Sequence, residues 1–252
     1  MPSAHRSTLD LAARLGVHAD RCRVVATREL SPSLREIALH GDPRLVGEPG
    51  RDVMVRVSDA ERSTRRRYSV RWADPATHRF GLWVSVAHEG PGASWAREAV
   101  VGQPVDVVGP RGKIGLAPDA EWHLFVGDLT ALASAYRLAE SIPTPGRALF
   151  VLEIADDADA VTAAFDAGLG VTGIFVDRRD RAASDPTGLV SALTAVELPA
   201  GFGHVYVFAE AGVSRAVRAA LMARGVPTES ISHKAYWRAG RHNADNGEPE
   251  RD

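Results

Sequence analysis

The hydrophobic pattern of the chain changes once, near Pro118, and this change limits the possible folds. Before it, short runs of alternating polar and apolar residues are separated by Ser-Pro, Gly-Asp-Pro and Glu-Pro-Gly-Arg turns. Alternation with a period of two is typical of strands that bury one face. Six such strands, interrupted by one helix at 93–100, predict an antiparallel barrel or sandwich. The runs are 22–27, 34–40, 52–58, one from 65, one from 80, and 103–109.

After Pro118, continuous apolar runs alternate with segments of helical spacing. Continuous runs are typical of strands that are buried on both faces, and strand–helix alternation predicts a parallel sheet with right-handed crossovers. The predicted strands are 122–128, 147–155, 171–176, 204–209 and 230–237, and the predicted helices are 130–142, 159–167, 188–197 and 213–225.

The sequence therefore predicts two domains, an antiparallel β-barrel followed by an α/β domain with a parallel sheet. An N-terminal extension at 1–21 contains a short helix from about Ser7. We expect the barrel domain at 22–117 and the α/β domain at 118–240. The polar tail at 241–252 is expected to be disordered because it has little apolar surface to bury.

Composition excludes several classes of function. The formal net charge is -2, which does not favour a nucleic-acid-binding protein. The single cysteine, Cys22, rules out an internal disulfide, and no Cys/His spacing resembles a zinc site. There is no signal-peptide pattern and no apolar segment near the roughly 20 residues that span a bilayer, so we expect a soluble, cytoplasmic protein without membrane insertion.

A basic strand carries the first candidate site. In Arg66-Arg-Tyr68-Ser69, alternation places Arg66 and Tyr68 on one face, and Arg67 and Ser69 on the other. Arginine can pair with a diphosphate, and a tyrosine ring can pack on a flat aromatic ligand. The alternative is a basic edge strand whose arginines prevent sheet aggregation, and the three arginines alone favour it.

A glycine-rich turn, Gly90-Pro-Gly92-Ala93-Ser94, precedes the helix of the first half. Free amide groups and the helix dipole favour a phosphate at such a position, and Gly92 allows a ligand to approach closely. The alternative is an ordinary cap made by Ser94. Because this turn and the basic strand lie in one barrel segment, we favour ligand binding. His88, just before the turn, has either a ligand contact or a structural hydrogen bond.

The predicted parallel sheet carries a second candidate site at the carboxyl ends of its strands, where ligands bind in open α/β sheets. Thr130 follows the first strand and either caps the next helix or faces a nicotinamide or flavin ring. Glu210 follows the fourth strand and either lies near a reacting ring or caps a helix. The Gly-x-Gly-x-x-Gly fingerprint is absent, as are the Ser-His-Asp order and paired acidic residues that would suggest hydrolysis.

Six motifs together resemble the siderophore-interacting proteins, which are FAD-dependent ferric-siderophore reductases of the ferredoxin–NADP reductase superfamily. The resemblance covers about residues 22–240, and the order and spacing of the motifs make it specific. The motifs are Arg66–Arg71, Val86–Ala96, Gly109–Gly112, Gly127-Asp128, Ala209-Glu210-Ala211 and Tyr236–Gly240.

The resemblance implies an FAD-binding barrel followed by a nicotinamide-type domain. A reduced nicotinamide (NADPH or NADH), or sometimes a ferredoxin, would supply electrons that pass through FAD to ferric iron in a siderophore, a small-molecule substrate. The flavin would be held by Arg66, Tyr68 and Ser69, with His88 beside it and Trp237 as a further contact. Its diphosphate would be held by Gly92, Ala93 and Ser94. The catalytic candidates are Thr130 and Glu210, which would face the cleft that the electron donor enters.

The chain departs from the family pattern after the first strand of the second domain. The family usually continues Gly-Asp-Glu-Thr-Ala-Leu-Pro-Ala, whereas Leu129 replaces the acidic residue and Ala133 the proline. One alternative is therefore a flavoprotein of the same fold recruited to a biosynthetic redox or non-redox step, with altered or lost nicotinamide use. Another is a binding module without enzymatic activity.

Overall fold

The computed structural model describes residues 2–58, 64–144, 147–162 and 172–240. The chain divides into two compact units, Met1–Gly115 and Leu116–Asp252, which we call the barrel unit and the sheet unit. The tail at 241–252 and the second half of the helix predicted at 159–167 lie outside the described residues. In the part of the chain that is described, no helix is long and apolar enough to cross a membrane.

The barrel unit begins with a helix and contains a closed six-stranded barrel. Neighbouring strands are antiparallel and follow the order β1-β2-β5-β4-β3-β6. The predicted barrel is thus confirmed. Its elements are α1 (Pro2–Leu15), β1 (His18–Ser31), β2 (Leu34–His40), β3 (Asp52–Ser58), β4 (Thr64–Asp74), β5 (Arg79–Ser85), α2 (Pro91–Glu98) and β6 (Pro104–Arg111).

Alternating apolar residues fill the barrel interior, as the period of two requires. Val53 and Val55 of β3 and Val70 of β4 are buried in one core, and the ring of Tyr68 packs against it. Helix α2 contacts β2, β3, β4 and β5 and adds Trp95 to the same core. The first turn of α2 is thereby held against the strand that carries Arg66 and Tyr68.

The sheet unit is a five-stranded parallel sheet in the order β11-β10-β7-β8-β9, which confirms the predicted α/β architecture. Its elements are β7 (Trp122–Asp128), a 3₁₀ turn (Leu129–Ala131), α3 (Leu132–Ala139), β8 (Ala148–Ile154), α4 (Asp157–Thr162), β9 (Thr172–Asp177), α5 (Thr187–Ala195), β10 (Gly203–Glu210), α6 (Ala211–Ala223) and β11 (Ile231–Trp237).

Both faces of the three central strands, β7, β8 and β10, are buried, which explains their continuous apolar runs. One face packs aliphatic side chains against α5 and α6. The other face is aromatic. The ring centroid of Phe125 lies 4.9 Å from those of Phe150 and of Tyr206, and Tyr136 of α3 packs on Phe150. These rings fix the sheet rigidly beneath the loops that follow its strands.

The strand order identifies the position in this sheet where a ligand would bind. The chain runs from β7 outward through β8 and β9, then returns to the other side of β7 with β10. The direction of winding therefore reverses between β7 and β10, and ligands of open α/β sheets bind at such a switch point. Asp128 ends β7 and Glu210 ends β10, so both carboxylates lie at this point.

Candidate functional site

Arg66, Tyr68 and Gly92 meet where β4 passes the first turn of α2. A Cβ atom on residue 92 would lie 2.5 Å from the Tyr68 hydroxyl and 3.3 Å from Cγ of Arg66. Only glycine permits this approach without displacement of its neighbours. Three of the predicted cofactor-binding residues are thus brought together, and we call them the cradle.

The Tyr68 hydroxyl is a buried polar atom that has no hydrogen-bond partner among the described residues. Burial raises the pKa of this hydroxyl, so it is a neutral donor at physiological pH. The ring of the neighbouring Trp95 lies 5.7 Å from that of Tyr68, and its buried indole N–H likewise finds no partner in the part of the chain that the structure describes. Buried donors without partners are rare in folded proteins and indicate a missing acceptor. A ligand rich in oxygen atoms would supply it.

Helix α2 begins with an uncapped first turn. The cap residue is Gly90, with φ of 141°, and Pro91 follows; glycine has no side chain that could bond to the free amides of this end. The alternative interpretation, in which Ser94 is the cap, is wrong. The amide of Ser94 donates to the Gly90 carbonyl at 3.0 Å, so Ser94 already lies inside the helix. The turn therefore presents amide groups of Gly92 and Ala93 beside the Arg66 side chain, an arrangement suited to a phosphate.

The other face of β4 has a structural role. Arg67 donates from Nε and Nη2 to the two carboxylate oxygens of Asp52 at 2.8 and 2.7 Å, and Asp52 is only 3% exposed. This pair ties β4 to β3. Ser69 is buried and lies opposite Asp52 in the register of these strands. The predicted division of the two faces is therefore present.

His88 lies in the exposed segment between β5 and α2. Its carbonyl accepts a hydrogen bond from Nη2 of Arg97 at 3.3 Å, and the Val86 carbonyl accepts from the same atom at 2.7 Å. Arg97 thus fixes the backbone that leads into the cradle. The role of His88 in cofactor binding stays a prediction.

Asp128 joins two predicted site residues at the switch point of the sheet unit. One oxygen, Oδ1, accepts from the amide of Thr130 at 2.8 Å and from its hydroxyl, while Oδ2 accepts from Nε1 of Trp237 at 2.9 Å. Thr130 therefore does not cap the turn that it enters; Asp128 does. Sequence reasoning quoted Gly127-Asp128 as a motif but missed this role of the carboxylate.

Glu210 is a capping carboxylate, as one interpretation of the sequence expected. Its Oε2 accepts from the amides of Gly212 and Val213, the latter at 3.1 Å, and its Oε1 accepts from the amide of Ala239 at 3.2 Å. The side chain is only 4% exposed. A catalytic role for Glu210 or Thr130 stays a prediction, because both side chains have structural bonds here.

Small and apolar residues complete the end of β7. A Cβ on Gly127 would lie 2.0 Å from the Phe208 carbonyl oxygen, so strand packing requires glycine at this position. Leu129 and Ala133, which replace the acidic residue and the proline of the family pattern, are both buried. Leu129 thus packs an apolar side chain where the family pattern has a carboxylate.

Glu153, at the carboxyl end of β8 beside Asp128, is a further buried acid that sequence reasoning did not find. Burial raises its pKa to about 7, and Asp128 adds to the rise, while Arg178 and Arg181 oppose it. Nη2 of Arg181 lies 3.6 Å from its carboxylate. The sequence around Glu153 did not mark it as a site residue, because its burial depends on strand pairing and not on its neighbours in the chain.

The two units offer different chemistry. The cradle combines a guanidinium, an uncapped helix start and a buried hydroxyl without a partner, which fits a diphosphate-bearing cofactor such as FAD. The carboxyl edge of the sheet unit has two carboxylates in the positions where a phosphate would otherwise bind. Among the described residues, no group of three or more His, Cys, Asp or Glu is placed to hold a metal ion.

Two family models match the chain. The model described as "Siderophore-interacting protein" matches residues 120–240, and that described as "Siderophore-interacting FAD-binding domain" matches residues 42–114. An uncharacterized protein of Mycobacterium tuberculosis is 28% identical over 254 residues, which cover 86% of this chain and 89% of that protein.

Two further proteins are similar to this chain. The ferric vibriobactin reductase ViuB of Vibrio cholerae is 32% identical over 95 residues, 37% of this chain and 35% of ViuB. The crystal structure of a siderophore utilization protein from T. fusca superposes with a TM-score of 0.79 at 26% identity, covering 91% of this chain and 96% of that one.

Proposed function

The chain belongs to the siderophore-interacting protein family, and from this premise we propose that it is an FAD-dependent reductase of ferric siderophores. A reduced nicotinamide is the proposed electron donor. One nicotinamide supplies two electrons, so two ferric ions are reduced to ferrous ions and one proton is released per turnover. Reduction releases iron because siderophores bind ferrous iron far more weakly.

The observation that carries this proposal is the Tyr68 hydroxyl, which is buried beside Gly92 in the FAD-binding domain and has no partner within the described ranges. Arg66 would pair with the diphosphate of FAD, and the amides of Gly92 and Ala93 would donate to it. Tyr68 would donate its hydroxyl to an oxygen of the same cofactor. Bound there, FAD supplies the exchange between two-electron and one-electron transfer.

The protein contributes positioning and electrostatics to this reaction. The Arg67–Asp52 pair ties the strand to its neighbour, and Arg97 bonds to the backbone of the segment before α2, so these contacts position the cradle without a ligand. A preorganised cationic site costs little reorganisation on binding. The ferric reductase among the relatives supports a ferric siderophore as the substrate.

Ferrous iron production tests the proposal. The FAD-loaded protein is mixed under anaerobic conditions with NADPH or NADH, a ferric siderophore and a coloured ferrous chelator. We expect nicotinamide oxidation and ferrous complex to appear in a ratio of one to two. Flavin-loaded protein that oxidises neither nicotinamide in the presence of several ferric siderophores would contradict it.

A second candidate function is favoured by the packing of Leu129 and Ala133. These residues place apolar side chains where the family pattern differs, and the adjacent Asp128 is bonded to the chain itself. A flavoprotein with another electron donor, such as a ferredoxin, or with a biosynthetic role fits that local structure. Dithionite-reduced protein that reduces ferric siderophores, while neither nicotinamide reduces the flavin, would favour the ferredoxin donor.

A further inference from the structure

Two carboxylates at the switch point share one pattern of bonding. Asp128 uses Oδ1 for the turn after β7 and Oδ2 for the indole of Trp237. Glu210 uses Oε2 for the start of α6 and Oε1 for the amide of Ala239. Each carboxylate therefore caps a helical turn with one oxygen and bonds to the segment 237–239 with the other. We call this segment the strap.

The strap is bonded to the two carboxylates at the carboxyl ends of β7 and β10, which is the switch point of the sheet. The order of the strands puts Asp128 and Glu210 on either side of the switch point, and ligands of open α/β sheets bind outside the carboxyl ends there. A phosphate binds at a helix start through free amides and the positive end of the dipole. The amides of Gly212 and Val213 are already bonded to Glu210, whose negative charge opposes a phosphate.

We propose that Asp128 and Glu210 limit the access of a dinucleotide electron donor, because they hold the strap at the switch point and exclude the diphosphate of the donor until the strap is released. The inference rests on the proposed function, since it concerns the donor of that same reaction. It assigns Trp237 a role as a latch, in addition to the cofactor contact that the family resemblance implies.

The latch has a quantitative consequence for donor affinity. When only a fraction of the protein is competent to bind, the apparent Kd exceeds the intrinsic Kd by the inverse of that fraction. Loss of one hydrogen bond to a charged group shifts such an equilibrium by about tenfold. Removing a latch bond should therefore tighten dinucleotide binding by up to about tenfold, whereas loss of an ordinary binding or structural contact would weaken it.

The experiment measures binding of NADP⁺ and of NAD⁺ to the full-length, FAD-loaded protein by calorimetry. Trp237→Phe removes the indole N–H and keeps an aromatic ring, and Ala239→Pro removes the amide that Glu210 accepts. Trp122→Phe is the matched control, because its indole N–H bonds to the Gly201 carbonyl at 3.3 Å, and Gly201 lies before the start of β10. We expect a severalfold to tenfold lower Kd in each latch variant and no change in the control.

An unchanged or higher Kd for both dinucleotides in Trp237→Phe would overturn the proposal, whatever Ala239→Pro does. Binding of the oxidised dinucleotide needs no turnover, so this result is separate from the proposed function. Ferric reduction by dithionite-reduced protein tests the function without the donor. If that reaction occurs while the latch variants bind no more tightly, only the latch is wrong.

Discussion

Gly92 and the Tyr68 hydroxyl approach so closely that a methyl group at position 92 would stand 2.5 Å from the phenolic oxygen. Van der Waals contact requires about 3.4 Å or more, so a larger residue must displace either the helix turn or the tyrosine. The closeness of these two residues, far apart in the sequence, defines the cradle. It leads to the first prediction.

Gly92→Ala should lose FAD while the barrel stays folded. We expect the Kd for FAD to rise at least tenfold, because the turn that presents its amides to the diphosphate must shift. Gly115→Ala is the control, since a Cβ at Gly115 meets nothing within 4 Å. Flavin fluorescence titration measures both. Equal affinities in the two variants would show that the cofactor does not depend on this turn.

Tyr68→Phe should change stability and binding in opposite directions. A buried polar group without a partner costs about 1–3 kcal/mol, so its removal should raise the Tm of the protein without cofactor. The same change should weaken FAD binding roughly tenfold, because the cofactor loses a donor. Thermal unfolding with and without FAD checks both signs. A lower Tm without cofactor would mean that the hydroxyl has a partner in the protein alone.

Substitutions of the neighbouring residues Arg66 and Arg67 should affect FAD binding and stability separately. Arg66→Ala should lose FAD at nearly unchanged stability, since the strand itself does not need a charge there. Arg67→Ala leaves the buried Asp52 carboxylate without its bidentate partner, which should cost about 3–5 kcal/mol of unfolding free energy. Denaturant unfolding and flavin content are the two readouts. Flavin retained at wild-type stoichiometry by Arg66→Ala would place the diphosphate elsewhere.

Two buried groups of the sheet unit, His123 and Glu153, should make the free energy of unfolding depend on pH in opposite directions. Burial lowers the pKa of His123 to about 4, with His204 adding to the effect. The unfolded chain therefore binds this proton first as the pH falls, and up to about 3 kcal/mol is lost between pH 6.5 and 4. For Glu153, whose pKa is raised to about 7, the folded state holds the proton more tightly. Its contribution is fully present below about pH 4.5 and is lost as the pH rises to 7.

These two slopes oppose each other in the unmodified protein, and single variants should separate them. Glu153→Gln should leave a stability that rises with pH between 4 and 6.5, and His123→Phe should leave one that falls with pH between 4.5 and 7. Urea unfolding at half-unit pH steps measures both curves. If the two variants gave parallel curves of unfolding free energy against pH, burial would not be disfavouring the charged forms of His123 and Glu153.

Sequence patterning was sufficient to predict the fold and to place Arg66 and Tyr68 on one face of β4. The period of two before Pro118 and the buried runs after it gave both architectures, because strand burial determines which residues are apolar. Alternation along β4 separated Arg66 and Tyr68 from Arg67 correctly. The bonds of Asp128 and Glu210 to the strap could not be predicted, since they join the ends of strands that only the sheet order brings together. The sequence also could not show that α2 begins after Gly90 and not after Ser94, because both residue types are common at helix starts.

The most direct test of the central claim is an anaerobic absorbance titration of the purified protein with FAD, then a reduced nicotinamide, then a ferric siderophore. The account predicts stoichiometric uptake of FAD, bleaching of its blue absorbance band by the nicotinamide, and recovery of the band with two ferrous ions released per flavin. A protein that takes up no FAD at micromolar concentration, or a bleached band that no ferric siderophore restores, would contradict it.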